Sequence, residues 1–175
     1  MGYSPFRSRG VTHHEAGRAF PGYTVYCHLW GNQAYAVAMD GAIAHTWDVP
    51  NGWKSFYAHV LPTGNLLLHC NTGAEPWRLG GAGAALVELD WDGKVVWQWQ
   101  DPTHHHDHHR LPNGNTLVLL WEPLPPDVVV QVQGGVPGSE FEGGVMLGDV
   151  LAEIDPAGNQ VWRFPLHQAL DYAID

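Results

Sequence analysis

A five-residue turn occurs twice in this chain, 50 residues apart: Leu61-Pro62-Thr63-Gly64-Asn65 and Leu111-Pro112-Asn113-Gly114-Asn115. A second pattern interleaves with it in three copies. Residues 36–47 read AVAMDGAIAHTW, 86–99 read LVELDWDGKVVWQW, and 151–164 read LAEIDPAGNQVWRF. Each copy is an alternating stretch ending in Asp, a short Gly-containing turn, and a second alternating stretch ending in aromatics. Asp and Gly between alternating apolar runs are a hairpin signal. Val95, Val96, Trp97 and Trp99 have the β-branched and aromatic character of a pleated, half-buried surface.

Together the two patterns predict four-stranded modules. The first has strands at 55–61, 65–70, 84–90 and 94–100. The second has strands at about 104–111, 116–121, 147–154 and 159–164, with the Pro- and Gly-rich stretch 122–144 inserted between its second and third strands. Residues 23–48 supply the outer strands of a further module. Repeats of about 40–50 residues with four strands each are the signature of propeller blades. The expected fold is therefore all-β, an incomplete β-propeller: an N-terminal arm over 1–20, then a partial propeller over 21–175. Within the latter, 23–48 are outer strands, 55–100 and 104–164 are blades, and 165–175 begin the next. Phe164 stands where Trp99 does, and Trp99 precedes its turn by 12 residues, so the next turn would start near position 176. Open edges invite pairing with another chain. The expectation is an N-terminal portion of a longer protein, with ring completion by self-association as the second reading.

Composition narrows the function classes. The 21 Gly and 13 Pro spread along 175 residues punctuate short strands and argue against long helices. A formal charge of −10 with only 8 Lys and Arg disfavours a nucleic-acid partner. Cys27 and Cys70 form no CxxC pair and read as buried free thiols. No apolar run reaches signal-peptide or membrane-span length, which predicts a soluble, cytoplasmic protein with no membrane partner.

Between the modules lies the densest chemistry. Residues 104–110 read HHHDHHR: five histidines, an aspartate and an arginine in seven positions. His59 and His109 each stand two residues before the leucine of their turn. On a regular strand His105, Asp107 and His109 face one way and His106, His108 and Arg110 the other, unless a bulge re-aims a residue. The His59–His109 correspondence favours the His109 face, with His104 and His105 as rim residues.

The run HHDHHRLPNGNTLVL at 105–119, with GKVVWQW at 93–99 before it and Gly10-Val11-Thr12 and Pro21-Gly22-Tyr23-Thr24 near the start, resembles the bacterial arylsulfotransferase family, in particular its soluble branch. The resemblance implies a six-bladed propeller, of which this chain holds about three blades. It also implies transfer of a sulfuryl group from a small phenolic sulfate ester to an acceptor phenol, through a channel histidine and without a nucleotide donor. No cofactor is expected. His109 or His59 would take the sulfuryl group, with His106, Asp107 and Arg110 in support. Imidazole is unprotonated at neutral pH and leaves readily once reprotonated. Arginine offers a planar fork to sulfate oxygens, and an aspartate beside a histidine can fix its tautomer.

Two other readings compete. The chain would be a non-catalytic propeller binding a small anion, a metal or a protein, or a histidine-ligated metalloenzyme using His105, Asp107 and His109. Outside the cluster, His13 and His14 read as solvated, and His28, His45 and His69 as satisfied core or face residues. Trp97, Trp99 and Trp162 read as packing, whereas Trp30, Trp53, Trp77 or Trp121 would suit an aryl site. Arg78 is a candidate anion contact. The glycines within 79–85 lack the Lys-Ser/Thr of a phosphate loop.

Overall fold

In the computed structural model of the chain, residues 11–77, 79–133, 136, 138, 141 and 143–171 are described; the Arg78 contact lies outside them. Eleven strands form three antiparallel meanders. The first sheet contains β1 (Tyr23–Cys27), β2 (Gln33–Ala38) and β3 (Ile43–Asp48). The second contains β4 (Lys54–Val60), β5 (Leu66–Asn71), β6 (Ala84–Leu89) and β7 (Val95–Gln100). The third contains β8 (His104–Arg110), β9 (Thr116–Pro123), β10 (Leu147–Ile154) and β11 (Gln160–Pro165). Among the described residues of the 122–144 insertion one short helix forms, Pro126–Val129. Among the described residues no helix is long and apolar enough to cross a membrane.

The repeated turns explain why the strands pair in sequence order. Leu61 N–H donates to the Asn65 carbonyl at 2.8 Å, and Leu111 N–H donates to that of Asn115 at the same distance. Gly64 and Gly114 both adopt φ +88°, a left-handed conformation that glycine enters at no steric cost. The turn asparagines then reach across their sheets: the Asn65 amide donates to Glu88 and that of Asn115 to Glu153. Equivalent register shifts follow these glutamates, at Glu88/Leu89 and Glu153/Ile154.

The second sheet is the middle layer of a stack. Leu66, Leu68, Cys70, Ala85, Val87 and Leu89 pack with Ala34, Ala36 and Trp47 of the first sheet. The alternate residues Leu67 and Leu86 pack with Val118, Leu120, Val150, Ala152 and Ile154 of the third. Strict alternation therefore supplies two cores from one sheet, and β5 and β6 read as nearly continuous apolar runs because both of their faces are covered. Trp47 fills the first interlayer space and Trp99, its repeat equivalent, fills the second. Beyond the third sheet Leu117, Leu119 and Leu151 are only half-buried.

Not every aromatic at the recurring strand end is core. Trp99 is buried, but Trp97 is half-buried, and Trp162 is 46% exposed and stacks on Phe164. Trp97 shares the face of Trp99 but packs only at the margin of the same core, and no fourth layer covers Trp162 among the described residues. Cys27 and Cys70 are both free thiols, the second buried and the first half-buried.

Each interlayer core should contribute comparably. Leu68→Ala empties the first space and Leu67→Ala the second, and each should cost about 2–5 kcal/mol. Urea denaturation should show both losses in one cooperative transition. Two separated transitions would mean that the layers fold independently.

Candidate functional site

The histidine-rich strand β8 is not regular. It pairs with β9 as His104↔Leu120 and His105↔Leu119, then resumes at His108↔Val118, His109↔Leu117 and Arg110↔Thr116. His106 and Asp107 form the bulge between, and His106 takes φ +51°. Histidine is among the few non-glycine residues enriched in that region. A second backbone holds the bulge in place. His106 N–H donates to the Gly81 carbonyl at 2.8 Å, and Gly83 N–H donates to that of His104 at 3.1 Å. Glycine is needed there: a β-carbon on Gly81 would overlap the His106 ring, and one on Gly83 the His69 ring.

The two-residue bulge preserves the alternation on either side of it and moves His106 to the side of His105 and Trp121. His104, His108 and Arg110 turn toward the second sheet, while His105 and His109 turn away. His104 and His105 are not rim residues; they are 0% and 3% exposed. His69, read from sequence as a satisfied core histidine, is fully buried but unsatisfied.

His69, His104 and His108 form one group between the second and third sheets. Their ring centroids lie 4.3 Å apart for His69–His104, 6.0 Å for His69–His108 and 6.3 Å for His104–His108. Phe56 flanks His69, Trp99 flanks His104 and Tyr57 flanks His108. None of the six ring nitrogens has a hydrogen-bond partner among the described residues. The backbone of His106 and of Asp107 favours protonation of His69 and His104 respectively, but too weakly to offset burial. Burial, reinforced by the neighbouring imidazoles, pushes His69 down to about 3 and His104 well below the ordinary histidine value. Burial and then His59 push His108 down to about 4. At neutral pH the group is three uncharged imidazoles.

On the other side of the bulge a second group assembles. His105 stacks on Trp121 with centroids 4.1 Å apart and planes 9° from parallel. Its Nδ1 lies 2.9 Å from His106 Nδ1, and its Nε2 lies 3.4 Å from Asp149 Oδ1 on β10. Burial lowers the His105 pKa, and the Asp149 charge opposes that shift.

The remaining sequence candidates are dispersed. His59 and His109 are exposed on β4 and β8. The exposed Asp107 carboxylate accepts from His108 N–H at 2.8 Å, serving the bulge backbone. Arg110 is not a free anion fork: it pairs with Glu88 at 2.8 Å, donates to the Gly114 carbonyl at 3.0 Å and lies over Trp97 at 4.4 Å. The proposed metal set does not form, because the bulge separates Asp107 from His105. Among the described residues no group of three or more His, Cys, Asp or Glu side chains is disposed to hold a metal ion. Sequence reading missed His69, Asp149, Gly81 and Gly83. The glycine run opposite a histidine run was the available signal.

No protein-family model matches the chain, and no curated protein matches it. Among solved structures, a protein of unknown function from Bacteroides caccae is similar, with a TM-score of 0.49 and 16% sequence identity. The match covers 82% of this chain and 46% of that one, so the chain spans less than half the length of that structure.

Two outcomes follow from the buried group. An imidazole with a depressed folded pKa takes up a proton on unfolding, so stability falls as pH drops below the unfolded value near 6.5. His69 and His108 keep losing stability down to about 4 and below. Between pH 7 and pH 5 the urea-unfolding free energy should fall by on the order of 4 kcal/mol; a pH-independent midpoint would contradict the buried neutral group. Separately, Gly83→Ala should cost at least about 2 kcal/mol through overpacking, most of it recovered in the Gly83→Ala/His69→Ala double variant. Additive losses would show that His69 does not occupy that space.

Proposed function

We propose that this chain is part of a β-propeller of arylsulfotransferase type, moving a sulfuryl group between phenols through an unprotonated histidine. In this reading the three stacked sheets are successive blades, with β4 and β8 as innermost strands. Further modules, from the same protein or from a second copy, would cover the half-buried outer face of the third sheet. The carrying observation is the concentration of uncharged imidazole where β4, β5 and β8 meet, beside the exposed His59, His106 and His109.

Sulfuryl transfer asks for a nucleophile that is deprotonated without being strongly basic, and for donor and acceptor held in line. A neutral imidazole meets the first demand. Trp121 and Tyr57 offer aromatic surface beside the histidines for an aryl ring.

The test is release of 4-nitrophenol from 4-nitrophenyl sulfate with phenol as acceptor. The expected result is release that depends on phenol and falls by at least about a hundredfold when the acceptor imidazole among His59, His106 and His109 is replaced by Ala. Release that ignores phenol, or no release at all, would overturn the reading.

A further inference from the structure

Of His59, His106 and His109, it is His106 whose ring nitrogen rests on a buried partner. Its Nδ1 meets His105 Nδ1 at 2.9 Å, and the far nitrogen of His105, which has no aligned hydrogen-bond partner, stands 3.4 Å from the Asp149 carboxylate. His105 has little freedom to do otherwise: it is 3% exposed and stacked flat on Trp121. Two nitrogens in contact require one donor and one acceptor. If His105 carried its proton on Nδ1, the Nε2 lone pair would face the Asp149 carboxylate, lone pair against negative charge. The opposite arrangement puts Nε2–H of His105 toward Asp149, leaves Nδ1 of His105 as acceptor, and requires His106 to donate from Nδ1. The Nε2 of His106 is then left without a proton.

We propose that Asp149, His105 and His106 form a relay that fixes His106 in its Nδ1–H tautomer and presents Nε2 as the nucleophilic atom. His106 is the catalytic residue, and His105 and Asp149 are positioning residues. The backbone fits this role. The left-handed φ of His106 and the bulge around it direct the side chain out of the strand. Its Cε1–Nε2 edge packs against Gly81, whose missing side chain makes room for the ring.

The identity of the electrophile rests on the reading above, in which it is an aryl sulfate. Nε2 of His106 forms an N–S bond as the S–O bond to the aryl oxygen breaks, and that electron pair leaves with the phenolate. The positive charge gained by the ring is relieved by its Nδ1 proton, shared with His105 while His105 leans on Asp149. An acceptor phenol oxygen then takes the sulfuryl group and the N–S electron pair returns to Nε2. The proton lost by the acceptor phenol is the one gained by the departing phenolate.

Long-range proton–nitrogen NMR of the histidine rings reads the tautomer directly, with His106 assigned by the signals lost in His106→Gln. Modification by diethyl pyrocarbonate, mapped to residue by mass spectrometry, reads the reactivity of Nε2. In the unaltered protein His106 should be in the Nδ1–H form and react at Nε2. In Asp149→Asn that tautomer should no longer predominate and the modification of His106 should slow by about tenfold or more, with Asp149→Glu recovering part of both. An Nε2–H tautomer in the unaltered protein, or an Asp149→Asn variant unchanged in tautomer and reactivity, would overturn the relay. If tautomer and reactivity behave as stated but 4-nitrophenyl sulfate is not turned over, the relay stands and the sulfuryl reading alone falls.

Discussion

The two-residue bulge at His106 and Asp107 is the constraint on which the arrangement of the site depends. Regular pairing would align His104, His106, His108 and Arg110 on one face of β8. The two extra residues between His105 and His108 leave His104, His108 and Arg110 on that face but take His106 out of it, to the side of His105, Trp121 and Asp149. The bulge is held by neighbouring backbone more than by its own sequence. Gly81 accepts from His106 and Gly83 donates to His104, and both glycines yield their β-carbon space to an imidazole.

Layering explains why so many histidines sit where apolar side chains would do. The second sheet is covered on both faces, so the position of His69 on β5 is enclosed whatever residue occupies it. A buried imidazole without hydrogen bonds costs stability, whereas a Leu or Phe of similar size would pack at no such cost. Three such imidazoles in contact exchange stability for uncharged, titratable rings behind a polar surface, the kind of exchange found at functional sites. Arg110 illustrates the contrary case. Its charge is met by Glu88 and the face of Trp97, so it pins the turn ends of the second and third sheets together.

Most of the strand order was legible because its signals are local. The Leu-Pro-x-Gly-Asn and Asp-Gly turns each fix a pairing within a few residues, and the observed strands begin and end close to where the turns put them. The all-β class followed from the same signals. The site was less legible because its contacts are distant in sequence. His69 meets His104 across 35 positions, Asp149 meets His105 across 44, and Glu88 meets Arg110 across 22. The equivalence of His59 and His109 points to two exposed residues, while packing between the second and third sheets puts the buried chemistry at His69, His104 and His108 and the bulge puts the supported ring at His106.

The most direct test of this sorting is a residue-resolved NMR titration of the imidazoles while the protein stays folded. His69 and His108 should remain neutral through pH 5, protonating near 3 and near 4, and His104 and His105 should protonate below the ordinary histidine value. Ordinary titration of His69 and His104 near pH 6.5 in the folded protein would place them in water and contradict the bulged, layered site.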